Sequence, residues 1–176
     1  ISSLIYFVVR VSNVAARDRQ TPFLSANDRS RWCAVEALLS EGTFAIDHVI
    51  ERKGWNSIDK VSHYGSDGKQ HYYSSKPPLQ YVLLAGETWI VERLAGYRLS
   101  YKPYLIGRIV VGITNGALLL TFFLTICLAA ERWGRSDGGR IFTVAVATWG
   151  TLLSPFAVSI NNHLPGAVAV AIAFYL

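Results

Sequence analysis

Three charged side chains in the polar stretch between Ala26 and Leu79 are of the types that could carry out chemistry on a phosphate. The stretch holds Asp28 and Arg31 near its start and Lys76 near its end. A carboxylate can orient a hydroxyl group and accept its proton, and cations placed where charge develops stabilise a phosphate leaving group. One acid and two cations would suffice to move a group from a lipid-linked phosphate to a hydroxyl, so these residues are the first candidate site.

Each of these side chains also has a simpler structural interpretation. Asp is a frequent helix N-cap, and we expect Asn27 or Asp28 to cap a helix here. Arg31 could pair with Glu36 or with a lipid headgroup. Lys76 could anchor the chain at a membrane surface. The sequence leaves these alternatives open.

Three further polar residues are candidates because they lie beside apolar segments. Arg108 could bind phosphate if it faces the protein interior, and is otherwise a residue that extends its charge to the membrane surface. Asn162 and His163 could contact substrate, and otherwise mark a membrane interface. The remaining histidines and the two cysteines have no spacing typical of metal ligands. No metal site is predicted and no cofactor is evident, while a need for a divalent metal stays open.

The composition indicates a membrane protein. Hydrophobic residues make up 51% of the chain and charged residues 16%, whereas about 25% charge is usual in soluble domains. The net charge of +5 comes from scattered Arg and Lys without a basic stripe. A lipid bilayer and its phosphate headgroups are therefore the expected partners, and nucleic acid is excluded.

The distribution of apolar residues predicts several membrane-spanning helices. No charged residue occurs from 109 to 130 or from 141 to 160, and about 20 apolar residues cross a bilayer core. We therefore predict spans at 104–130 and 141–160. Incomplete spans are predicted at 1–11 and 164–176, because the sequence starts and stops inside apolar runs. We expect an internal fragment of a longer protein.

The long loop at 12–103 is predicted to contain two helices and a small hairpin. One helix, at about 29–41, is amphipathic and too short to span. The other, at about 78–96, starts with two prolines and carries too many charges for a membrane interior. Both are expected at the membrane surface. The turn at 66–69 predicts a β-hairpin. Four aromatic residues are expected to form the loop's own core: Trp55, Tyr64, Tyr72 and Tyr73.

Charge bias predicts which side of the membrane each loop faces. The short loop at 131–140 holds three arginines against two acids, which is typical of the cytoplasmic side. The loop at 12–103 and residues 161–163 would then both face outward. The expected fold class is an all-α polytopic membrane protein, placed in a bacterial cytoplasmic (inner) membrane with its active loop outside the cytoplasm.

The order of these motifs resembles a known family. Asp28-Arg29-Ser30-Arg31-Trp32-Cys33-Ala34 is followed by Leu38-Leu39-Ser40-Glu41-Gly42 and by Tyr73-Ser74-Ser75-Lys76-Pro77-Pro78-Leu79. Asn161-Asn162-His163-Leu164-Pro165 comes before the last apolar run. This arrangement is similar to the first outer loop and following spans of GT-C glycosyltransferases, in particular the lipid A aminoarabinose transferases and the protein O-mannosyltransferases.

The resemblance implies the N-terminal transmembrane module of an inverting glycosyltransferase. Such an enzyme transfers a sugar from a polyprenyl-phosphate donor to a lipid, glycan or protein acceptor. The resemblance implies Asp28 as the catalytic acid, Arg31 as an active-site arginine and Lys76 as a ligand of the lipid phosphate. The chain departs from the family at Arg29, where a second acid is common, and at Ser75, where Glu is common. A metal contact through that Glu is therefore not implied.

A non-enzymatic polytopic membrane protein is the alternative function, either a transporter fragment or an inactive relative. A transporter is expected to carry ionisable residues inside its spans. The predicted spans contain none from 109 to 130 or from 141 to 160, which favours the enzyme over the transporter.

Overall fold

The computed structural model describes residues 2–17 and 19–176 and is mostly helical, with one small sheet. Ile1 and Asp18, which fall in the predicted first span and in the predicted long loop, lie outside the described residues. The elements in chain order are α1 (Ser2–Asn13), α2 (Ala26–Glu41), α3 (Asp47–Ile50), β1 (Lys60–Tyr64), β2 (Gln70–Ser74), α4 (Pro78–Ala95), α5 (Pro103–Trp133), α6 (Asp137–Trp149), α7 (Leu153–Phe156) and α8 (His163–Tyr175).

The chain divides into two units. Val14–Val110 forms one, here called the loop unit. The residues up to Asn13 together with Val111–Leu176 form the other, here called the helical unit. Asp28, Arg31, Lys76 and Arg108 belong to the loop unit.

The predicted polytopic membrane fold is wrong. Among residues 2–17 and 19–176, one helix, α5, is long and apolar enough to cross a membrane. A buried helix of a soluble protein can share that length and composition. α1 has 12 residues and α8 has 13, short of the roughly 20 that a span requires. The structure therefore supports one candidate span.

The predicted span at 141–160 fails because this apolar run is not one helix. α6 ends at Trp149 with Gly150 as its C-cap, and the short α7 begins at Leu153. Pro155 has no backbone N–H, and its ring would clash with the carbonyl of Thr151 if the helix continued. Hydropathy counts side chains and does not register this break in the backbone.

The core of the loop unit forms around α2. Most of its side chains from 28 to 37 are buried. Phe23 stacks on Trp32, with 5.1 Å between ring centroids, and meets the edge of Trp55 at 4.9 Å. The Cys33 Sγ donates to the carbonyl of Trp55 at 3.0 Å. These contacts fix α2 against the segment that leads to the hairpin.

The predicted aromatic core is only partly correct. Trp55 is buried, whereas Tyr64 is 78% exposed and Tyr72 is 42% exposed. The buried rings that pack with Trp55 in this core are Phe23 and Trp32. Strand alternation alone does not decide which face of a two-stranded hairpin is covered, and here the covering helix contributes its own aromatic side chain.

The predicted hairpin is present. β1 and β2 pair antiparallel, with Lys60 opposite Ser74 and Tyr64 opposite Gln70. The turn is fixed by the Asp67 Oδ1, which accepts the Lys69 N–H at 3.0 Å. This register brings the residues just before β1 beside those just after β2.

A buried polar side chain links two segments of the helical unit. Asn115 on α5 is 3% exposed, and its Nδ2 donates to the carbonyls of Ala157 at 2.6 Å and Ser159 at 3.0 Å. Both carbonyls lie in the irregular segment after α7. The link holds that segment against α5.

Candidate functional site

The first turn of α2 positions Asp28. Ser25, not Asn27 or Asp28, is the N-cap, and its Oγ accepts the Asp28 N–H at 3.1 Å. The Asp28 Oδ2 accepts the Leu24 N–H at 3.0 Å. This reciprocal arrangement is a variant of the capping box, whose Ser-x-x-Asp pattern is present in the sequence. Asp28 is 2% exposed, and its carboxylate stabilises the N-terminus of α2 through this hydrogen bond.

Arg31 follows Asp28 on α2 and is also buried, at 3% exposed. Its Nε donates to the Gln80 Oε1 on α4 at 2.8 Å, and its Nη1 donates to the Asn27 carbonyl at 3.1 Å. Burial lowers the pKa of the Arg31 guanidinium, and the negative charges of Asp28 and Asp59 oppose that shift. Of the alternatives open for Arg31, the pairing with Glu36 is not the one found, and Glu36 pairs with Arg52.

Lys76 joins this group through an acid that the sequence analysis missed. The Lys76 Nζ lies 2.6 Å from the Asp59 Oδ2, and the Ser75 Oγ donates to the other carboxylate oxygen of Asp59. The Ser30 Oγ donates to the Asp59 backbone carbonyl at 2.6 Å. Asp59 therefore connects α2 with the end of the hairpin.

The pKa of Asp59 lies below its ordinary value. Burial alone would raise the pKa, but hydrogen bonds from Lys76 and Ser75 and the charges of Lys76 and Arg31 outweigh it. Asp59 is therefore an ionised carboxylate at neutral pH. The hairpin register contained a signal for it, because Lys60 opposite Ser74 implies Asp59 opposite Ser75.

Four charged side chains thus form one network, here called the loop network: Asp28, Arg31, Asp59 and Lys76. Two acids balance two cations. The Lys76 and Asp59 side chains are 19% and 23% exposed, whereas Asp28 and Arg31 are buried. The accessible end of the network thus offers an amine and a carboxylate. An anion can compete with Asp59 for the Lys76 amine.

Arg108 is not part of the loop network. Its Nη2 donates to the Val14 carbonyl at 2.9 Å, and its guanidinium lies 4.7 Å from the centre of the Tyr104 ring. The Arg108 Nε and the Tyr104 hydroxyl are buried without a hydrogen-bond partner among the described residues. The predicted phosphate role of Arg108 stays a prediction.

Asn162 and His163 belong to the helical unit. Asn162 precedes α8 and His163 is its first residue. The His163 ring lies 5.6 Å from that of Phe156, and both line an apolar cavity of about 260 Å³. Their predicted substrate contacts stay untested.

The described part of the chain, 2–17 and 19–176, contains no group of three or more His, Cys, Asp or Glu side chains arranged to hold a metal ion. Comparison with known protein families, curated proteins and solved structures gives no match to this chain.

Proposed function

We propose that the chain is part of a membrane-associated glycosyltransferase that moves a sugar from a polyprenyl-phosphate donor to a hydroxyl acceptor. The observation that supports it is the loop network. Arg31 and Lys76 are far apart in sequence, yet both lie beside Asp59. An acid and two cations in one place are the groups that such a transfer uses.

The proposed roles of Asp28, Arg31 and Lys76 are those that the family resemblance implies, and Asp59 is added because it pairs with Lys76. Lys76, at the accessible end, contacts the donor phosphate, and Arg31 adds positive charge behind it. Asp28 orients the acceptor hydroxyl and accepts its proton. Asp59 holds Lys76 in place before the donor binds, and the donor phosphate competes with it for the amine.

The location proposed is the outer face of a bacterial cytoplasmic membrane. α5 is the helix long and apolar enough to cross it. Arg132 in the last turn of α5, Arg135 after it and Arg140 in the first turn of α6 form a basic cluster, and such clusters favour the cytoplasmic side. The loop network would then meet a donor presented outside.

Labelled sugar transfer in membranes containing the full protein tests the role of Asp28. We expect Asp28→Asn to abolish transfer while the protein still accumulates. Ser25→Ala is the matched control, because it removes the N-cap at a cost of about 1 kcal/mol and keeps the acid. Transfer by D28N at the wild-type rate would refute the assignment, and equal loss in D28N and S25A would mean that Asp28 only stabilises the helix start.

A second candidate function is favoured by the balance of the network. Lys76 already has a carboxylate partner in Asp59, so the network can simply hold α2, the hairpin and α4 together. The chain would then be a non-enzymatic membrane protein. Lys76→Ala separates the two functions, because it raises the KM for the donor in an enzyme and changes only stability in a structural network.

A further inference from the structure

The loop unit contains a second polar site, an open cleft of about 770 Å³. Its walls are the C-terminal halves of α2 and α4 and the chain that follows α4. The lining residues that carry the argument are Glu36, Arg52, Trp89, Glu92, Arg93, Arg98 and Tyr101.

The cleft is distinct from the loop network. Along α4, Arg93 is thirteen residues beyond Gln80, the partner of Arg31, which corresponds to about 20 Å at 1.5 Å per residue. Along α2, Glu36 is eight residues beyond Asp28, or about 12 Å. The network uses the beginnings of the two helices, and the cleft uses their ends.

Both acids in the cleft are already engaged. Glu36 is 3% exposed and pairs with the Arg52 Nη1 at 2.8 Å. The Glu92 Oε1 accepts the Leu99 N–H at 2.6 Å, which fixes the chain after α4. Among the described residues, neither carboxylate forms an ion pair with Arg93 or Arg98.

Arg93 and Arg98 are the arginines of the cleft that form no ion pair in the described part of the chain. Within residues 2–17 and 19–176, neither guanidinium forms an ion pair or hydrogen bond with another side chain. Arg93 lies 5.4 Å from the centre of the Trp89 ring, which orients its planar group. Arg98 lies in a turn in which its carbonyl accepts the Lys102 N–H at 2.9 Å.

The chemistry of these side chains indicates the class of ligand. A guanidinium presents parallel N–H groups that match two oxygens of a phosphate. Trp89 and Tyr101, 53% and 78% exposed, add flat apolar surfaces of the kind enriched at membrane–water interfaces. We propose that this cleft binds a phosphate-bearing anion, with Arg93 and Arg98 as its ligands. A phospholipid headgroup and a water-soluble phosphate ester share this chemistry.

Binding measurements on the full chain in neutral detergent test the proposal. The soluble probe is glycerol 1-phosphate, and the lipid probe is a phosphatidylcholine nanodisc with or without phosphatidic acid. We expect the double substitution Arg93→Gln and Arg98→Gln to raise the Kd for the bound probe by about tenfold or more. The reason is that each substitution removes a hydrogen bond between a charged guanidinium and the phosphate, and such bonds are stronger than neutral ones. Arg17→Gln with Arg135→Gln removes the same charge from exposed sites elsewhere and should change affinity less than about twofold.

Each outcome decides the question. Binding of glycerol 1-phosphate identifies a soluble ester, and binding only of the phosphatidic acid nanodisc identifies a headgroup. Failure of both probes overturns the proposal, as does equal weakening in the two double variants. Arg98→Gln alone, at an exposed side chain that forms no hydrogen bond or ion pair among the described residues, repeats the test if the double variant does not fold. None of these outcomes depends on sugar transfer.

Discussion

The Lys76 Nζ lies 2.6 Å from the Asp59 Oδ2, and this ion pair joins the residue before β1 to the segment that begins α4. The two residues are brought together by the hairpin, whose strands end beside each other. The pair thus depends on the strand register, and it locks the hairpin to the helix that follows.

Low pH should weaken the ion pair between Asp59 and Lys76. The pKa of Asp59 in the folded protein is below its ordinary value of 3.8. Its contribution to stability is therefore fully present above that value and is lost as the pH falls through the lowered folded pKa. We expect Asp59→Asn to flatten the fall in the free energy of unfolding below about pH 4, measured by urea titration. Asp137→Asn is the control, because that carboxylate is 92% exposed; an equal flattening there would contradict the role of Asp59.

Removing both partners of the pair measures its strength. At neutral pH, a double-mutant cycle of Asp59→Asn and Lys76→Met should give a coupling of about 0.5–1 kcal/mol, as for partly exposed ion pairs. Additive effects of the two substitutions would show that the contact does not stabilise the fold.

His71 should respond to pH in the opposite direction. Its Nδ1 lies 2.8 Å from the Asp47 Oδ2 and its Nε2 lies 3.1 Å from the Asp67 Oδ2, and these hydrogen bonds raise the pKa of His71. The stabilisation is present below the ordinary pKa of 6.5 and is lost as the pH rises through the raised folded value. The protection factors of the hairpin amides, which correct for the intrinsic rise of hydrogen exchange with pH, should therefore fall above neutral pH.

A matched control exists across the strand. His63 is opposite His71 in the register and is exposed. We expect His71→Gln to remove the pH dependence of the hairpin protection factors and His63→Gln to preserve it. Similar profiles in the two variants would mean that the two aspartates do not sense the charge of His71.

The aromatic core of the loop unit should dominate its stability. Phe23, 1% exposed, lies between Trp32 and Trp55, so Phe23→Ala should cost about 3–5 kcal/mol. Tyr64→Ala, at a 78% exposed ring, should cost less than about 0.5 kcal/mol.

Cys33 reports on this core. Burial raises the pKa of its thiol to about 12, so it should resist alkylation until the loop unit opens. In a Cys127→Ser background, alkylation should be faster in F23A than in Y64A. Rapid alkylation of the otherwise unchanged protein would contradict the burial of Cys33.

The sequence predicts the parts of this fold that local signals determine. The turn at 66–69 predicts the hairpin, and the two prolines at 77 and 78 predict the start of α4. The N-cap is missed because Asn27 and Asp28 are themselves good caps, whereas Ser25 is the cap because its Oγ accepts the Asp28 N–H while the Asp28 carboxylate accepts the Leu24 N–H. Such a choice depends on three residues together and not on the preference of one.

The parts that depend on tertiary contacts are not predicted. Asp59 becomes a site residue only after the strands pair and bring it to Lys76. The span at 141–160 is lost because the backbone breaks between Trp149 and Leu153, which an apolar composition does not reveal. The arginine-rich cleft combines the ends of α2 and α4, so it has no local motif.

The buried amide of Asn115 should be the main polar determinant of the helical unit. Asn115→Ala leaves the Ala157 carbonyl without its donor, and a buried group left unsatisfied costs about 1–3 kcal/mol. The Ser159 carbonyl is less affected, because the Asn161 Nδ2 also donates to it at 3.0 Å. We therefore expect faster hydrogen exchange in residues 153–164 and a lower unfolding temperature. Thr121→Ala is the control on the same helix, since its hydroxyl bonds the Ala117 carbonyl at an exposed position. Equal effects of the two substitutions would mean that Asn115 contributes only through its own helix and does not hold the segment after α7.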